Sequence, residues 1–117
     1  MLFRRGKKYR WEPVPCGVGT VINILEQSKD STVQLVVRYH EEYYKIGVAS
    51  DYNRQTRSFF DTVFYLNDQE YESLNAFRAS ATIDGMNIMD IHDSLEIVEA
   101  DEGNPRNLTI LNGLQNS

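Results

Sequence analysis

Few residues in this chain have the type and spacing that chemistry requires. The segment Asp90-Ile91-His92-Asp93 sets two carboxylates around an imidazole, the mixture that holds a divalent cation or forms a general-base pair. On a helix Asp90 and Asp93 would share one side while His92 points about 100° away, so local ligation by all three is awkward. A solvated acidic face is the simpler expectation, and neither a metal nor a cofactor is expected. Cys16 is the single cysteine and precedes a helix-like stretch, whose amide dipoles would favour a thiolate. With no base beside it in sequence, a small packed residue is expected there instead. His40 stands far from His92 in the chain. Gly17-Val18-Gly19 lacks the third glycine of a dinucleotide loop, because Ile22 occupies that position, and no Gly-Lys-Ser/Thr follows. Asn107-Leu108-Thr109 is a formal glycosylation sequon, which means little without a secretion signal. No catalytic residue is therefore assigned.

Charge is the stronger signal. Across 117 residues the formal net charge is −5, but the two signs are unevenly laid out. Through Ser58 there are ten Lys/Arg against six Asp/Glu, and from Phe59 onward only Arg78 and Arg106 face eleven acids. Residues 79–105 carry seven acids and no Lys or Arg. Such a distribution biases which partners are met and how fast, and says little about fold. The opening Arg4-Arg5-Gly6-Lys7-Lys8-Tyr9-Arg10-Trp11 interleaves cations with aromatics, a pattern that neutralises phosphates and stacks on bases or rests at a lipid surface. The acidic remainder opposes duplex binding. A basic strand or arm over residues 1–11, paired with the acidic half, is the expectation, with neither double-stranded nucleic acid nor membrane as partner.

These side chains need a scaffold. The composition, 41% hydrophobic and 25% charged, is that of one soluble domain, and no apolar run approaches the roughly 20 residues that span a bilayer. One cysteine forms no intrachain disulfide, which suits a reducing cytoplasm, the expected location. Val18, Val21, Ile22 and Leu25 repeat at helical spacing, predicting a helix over 17–27. Strict alternation predicts a strand over 32–39, a polar turn at Glu41-Glu42, and a second strand through Tyr44, Ile46 and Val48. A polar stretch over 50–57 then separates these from a third strand over 59–66 with Phe60, Thr62, Phe64 and Leu66 on one side. Asn67 three residues before Glu70 resembles a capping box and predicts a helix over 68–80, with Tyr71, Leu74, Phe77 and Ala81 facing inward. A short turn or helix over 87–91, a strand over 94–100, a turn over 101–106 and a run over 108–111 follow, ahead of a polar tail over 112–117. The fold class expected is α+β: a single domain with a mixed or antiparallel sheet of about five strands and two helices packed on one face.

Together these features favour a cytoplasmic, non-catalytic protein-binding domain that masks a basic partner protein. The specific form expected is a bacterial immunity or antitoxin-like inhibitor covering the cationic groove of a nuclease toxin. Its contact set would be Asp84, Asp90, Asp93, Glu96, Glu99, Asp101 and Glu102, with Tyr43 and Tyr44 as aromatic anchors. Two other readings stand beside it. One is a small-molecule binder or small enzyme with a pocket between helix and sheet, using Cys16, His40 or His92. The other is a homo-oligomeric accessory domain, a homodimer in the simplest case, in which the strand over 59–66 pairs with its own copy.

Overall fold

The computed structural model describes residues 9–107 except Asp30 and Glu102, and leaves aside the side chains of Phe59 and Asn107. The expectations placed on residues 1–8, on the run 108–111 and on the tail 112–117 lie outside the described residues.

Alternating apolar residues build a fully antiparallel sheet. Its strands are β1 (Val14–Cys16), β2 (Val33–Tyr39), β3 (Glu42–Asn53), β4 (Ser58–Leu66), β5 (Gln69–Tyr71) and, later in the chain, the strand Leu95–Ala100. Between β5 and that last strand, a separate two-stranded hairpin is formed by β6 (Thr82–Ile83) and β7 (Met86–Asn87), so Leu95–Ala100 is β8. The sheet order is β1-β8-β2-β3-β4-β5, which puts β8 between the first two strands of the chain and leaves β2 to β5 as a meander. The expected α+β class is thus found, with six strands in the main sheet. The additions are the edge strands β1 and β5, three residues each. Pro15 is accommodated because β1 is an edge, where a missing N–H breaks no ladder.

Helix α1 (Val18–Gln27) matches the predicted segment and buries Val18, Val21, Ile22, Ile24 and Leu25. These residues meet Val33, Leu35, Val37 and Tyr39 of β2, Ile46 and Val48 of β3, and Phe64 and Leu66 of β4 in one core. Helix α2 (Leu74–Ser80) delivers Phe77, wholly buried, to the same core. Both helices therefore cover one face of the sheet. The other face carries a smaller cluster of Val36, Tyr43 and Val98, with Tyr9 laid against Tyr43 at 5.2 Å between ring centroids.

The helix predicted over 68–80 is corrected at its start. Asn67 has φ 54° and sits in the two-residue connection between β4 and β5, its amide oxygen accepting from the Lys45 N–H at 2.9 Å. Residues 69–71 are strand, and the helix begins only after Ser73, whose Oγ accepts from the Ala76 N–H at 3.0 Å. Asn favours both an N-cap and a left-handed turn position, and here the turn prevails because it lets β5 pair with β4. The polar stretch over 50–57 is also shorter as a loop than expected. Strand β3 continues to Asn53, and the reversal occupies residues 54–57, with Asn53 Oδ1 accepting from the N–H groups of Gln55 and Thr56.

Candidate functional site

Among the described residues, ionisable side chains from three separate segments meet where β2 turns into β3. Register pairs Tyr39 with Glu42, so His40 and Glu41 alone make the reversal, with φ of 51° and 68°. Both are left-handed, the geometry of a type I′ turn that Asn-Gly fills most readily. The imidazole of His40 stacks on the ring of Tyr39 at 3.9 Å with 19° between planes. Its Nδ1 lies 3.5 Å from Asp84 Oδ2 and its Nε2 lies 3.6 Å from Asp93 Oδ2. Asp84 comes from the β6–β7 turn, where it has φ 56° beside Gly85, and Asp93 comes from the segment leading into β8. Three remote pieces of chain therefore meet at one end of the sheet.

The Tyr39 hydroxyl donates to both oxygens of Asp93, at 3.0 and 3.1 Å. That donor, with a backbone hydrogen bond and the nearby imidazole, holds the Asp93 carboxyl below its usual 3.8. Burial raises the Tyr39 phenol, and the Asp93 and Asp84 charges raise it further. Tyr44, half-buried on the same end, is raised by burial and then by Asp84 and Glu42. Met86, 43% exposed, pairs with Ile83 across the β6–β7 turn that carries Asp84 and gives this end an apolar component.

Of the residues proposed from sequence, the structure brings Asp84, Asp93 and Tyr44 to this end. Glu96, Glu99, Asp101 and Tyr43 lie elsewhere. Asp90 is exposed in the short 3-10 turn Ile88–Asp90. Glu96 lies on the opposite face, hydrogen-bonded and ion-paired to Arg38, from the basic half of the chain. Glu99 sits opposite Val36, at the irregularity where β8 slips against β2. Asp101 lies past the far end of β8, where its carboxylate accepts from the Gln34 N–H at 2.8 Å. Glu102 lies outside the described residues. Tyr43 and Tyr44 are consecutive on a strand and so point to opposite faces, and Tyr43 is buried in the smaller cluster. Among the described acids of the contact set, Glu96, Glu99 and Asp101 thus lie apart from one another, while Asp84 and Asp93 meet around His40.

From sequence, His40 enters only as part of a candidate small-molecule pocket and Glu41 only as turn, and neither is joined to Tyr39, Asp84 and Asp93. A signal existed: a reversal of two residues between alternating strands, with His and Glu where Asn and Gly are usual, marks a turn that uses its side chains. The other candidates fare differently. Burial pushes the Cys16 thiol up to about 11, the reverse of an activated nucleophile. Among the described residues no group of three or more His, Cys, Asp or Glu has metal-holding geometry. Strand β4, proposed to pair with its own copy, is covered by β3 on one side and by β5 over Phe64–Leu66 on the other, and is interrupted by Asp61 at φ 53° and by a register shift against β3 between Ala49 and Asp51. No helix among the described residues is long and apolar enough to cross a membrane.

The fold and this end of it define a small α+β domain, an antiparallel sheet with helices on one face and an acidic, partly apolar rim at the β2–β3 turn. Comparison with protein-family models, with curated proteins and with solved structures gives no match.

Proposed function

We propose that this chain is a non-catalytic protein-binding domain that takes a basic partner protein at the end of the sheet where the β2–β3 turn, the β6–β7 turn and the start of β8 meet. The observation that carries this reading is the convergence there of the exposed carboxylates of Asp84 and Asp93 from separate elements, with the exposed Met86 flanking the Asp84 turn. Carboxylates on a rim speed encounter with a cationic surface and select it, while thioether side chains adapt to the shape of what they cover. The specific form proposed is an immunity or antitoxin-like inhibitor of a basic nuclease toxin in a bacterial cytoplasm. A raised Cys16 thiol supports this over a nucleophilic enzyme.

The test is affinity capture from the native cell lysate with the intact chain, at low and high salt, followed by identification of what is retained. A basic protein held at low salt, released at high salt and bound at least about tenfold more weakly by the Asp84→Asn/Asp93→Asn double variant supports the reading, since each factor of ten is about 1.4 kcal/mol. Glu99→Gln, away from this end, should bind like the parent. Retention of no basic protein, or of one indifferent to the double variant, removes the proposal.

A further inference from the structure

We infer that the chain associates head to tail with a second copy of itself, the tip of the β3–β4 hairpin of one copy docking on the acidic rim of the next. Strand β3 pairs with β2 only as far as Val48, and β5 covers β4 only over Phe64–Leu66, so among the described residues the outer part of the hairpin has no strand beside it on either edge. Its base is held at Ser50 and Thr62, whose hydroxyls donate to the Lys29 carbonyl at 3.3 and 3.2 Å. Beyond that point the ladder continues through Asp51 opposite Phe60 to Asn53 opposite Ser58. This ribbon carries Tyr52, 50% exposed, and Phe60, 45% exposed, the two most exposed large hydrophobic side chains among the described residues. Tyr52 pairs with Phe59, the neighbour of Phe60, so Tyr52 and Phe60 project from opposite faces. A two-stranded ribbon without a core face is marginally stable in water, and an aromatic side chain on each face gives a partner something to cover.

Charge selects the occupant. Residues 52–60 hold Arg54 and Arg57 and no acid, and both arginines are exposed in the reversal. The turn that presents them has a defined shape: Asn53 Oδ1 accepts from the Gln55 and Thr56 N–H groups at 2.8 and 3.1 Å, and Arg57 takes φ 56°. Asp51 and Asp61 stand further back along the ribbon. Two guanidinium groups flanked by aromatic rings are complemented by two carboxylates with an apolar neighbour, which is the make-up of the rim: Asp84 and Asp93 with Met86. Rim and tip lie at opposite ends of β3, whose twelve residues span roughly 35 Å, so one copy cannot close the contact on itself. Charges beyond about 8 Å are screened at physiological salt, which leaves the two ends to act locally despite a net charge of −5 on each copy. Two cations are few for a polyanion such as single-stranded nucleic acid. Each copy in such a contact keeps one free tip or one free rim, so the interface is heterologous and propagates towards a ring or filament. The rim is also the surface proposed above for a basic partner, and the two contacts compete; the self-contact is tested on the purified chain alone, so failure of either leaves the other standing.

Sedimentation velocity of the full chain, from about 10 μM to about 1 mM, is compared at about 50 mM and about 500 mM sodium chloride. At low salt the weight-average mass should rise above that of the monomer with concentration, and at high salt it should return to it. Arg54→Glu/Arg57→Glu and Asp84→Asn/Asp93→Asn, each checked for native circular dichroism, should self-associate at least about tenfold more weakly than the parent. An equimolar mixture of the two should nevertheless form a one-to-one complex, because between them they retain one intact rim and one intact tip. In the parent, the amide resonances of Gln55 at the tip and Gly85 at the rim should shift together as concentration rises at low salt, a measurement that needs no variant to fold. A parent that stays monomeric throughout the low-salt series would overturn the inference. So would shifts confined to one end, which mark a symmetric contact, or a mixture of folded variants that stays monomeric where the parent associates.

Discussion

At the scale of single residues, the structure is most restrictive where a side chain is missing. Gly47 on β3 lies between Gln34 on β2 and Tyr65 on β4 in register, and the Tyr65 hydroxyl donates to Gln34 Oε1 at 2.9 Å. The tyrosine therefore crosses the middle strand, and Gly47 provides the space for its ring. A Cβ at position 47 would collide with the Val33 carbonyl and with the Tyr65 ring. One obstacle is backbone, so a rotamer change cannot relieve it. Gly47→Ala is expected to cost more than about 2 kcal/mol in denaturant-measured unfolding free energy, the range of overpacking in a filled site. A loss below about 0.5 kcal/mol would show that the strand spacing yields more easily than the geometry implies.

At the scale of elements, α2 is seven residues long and depends on its cap and on Phe77 more than on propensity. Phe77 is wholly buried and meets Tyr71 edge to face at 5.5 Å, which joins the helix to β5. Ser73 supplies the cap, through its acceptance from Ala76. Ser73→Ala should lower stability by about 1 kcal/mol and speed hydrogen exchange at the Ala76 amide. Asn67→Ala, which disturbs the β4–β5 turn, should leave local exchange at Ala76 unchanged relative to the global opening rate. The reverse pattern would restore Asn67 as the cap.

For the whole molecule, alkaline pH is the condition that acts on several elements at once. Burial is the first cause of a raised phenol at Tyr39 on β2, Tyr44 on β3 and Tyr65 on β4, with Asp93, Asp84, Glu42 and Asp101 adding repulsion among them. A phenol raised in the fold favours the neutral form there, so the associated stability is intact below the unfolded value of 10.0 and is lost as pH rises past the folded values. Phenolate absorbance followed beside far-ultraviolet circular dichroism should show part of the seven tyrosines ionising only as the sheet melts. Complete ionisation with an unchanged dichroism spectrum would contradict this coupling. Charge at this scale is partly cancelled within the chain, since Arg38 takes Glu96 and Arg106 takes Glu12 at 3.2 Å.

Sequence alone determined the elements whose period is strong. The alternation from Val33 to Tyr39 and the helical repeat of Val18, Val21, Ile22 and Leu25 each fit one backbone period, and so do the α+β class and the shared helical face that follow from them. Tertiary structure decided what local pattern leaves equal. Asn67 suits a cap and a turn alike, and only pairing of β5 with β4 chooses between them. The carboxylates are alike as residues, and their roles came from position: Glu96 found an arginine across the sheet, Asp101 a backbone amide, and Asp84 and Asp93 an imidazole. Charge counted along a chain has no direction in space. The antiparallel register supplies it, by carrying segments more than forty residues apart to the same turn.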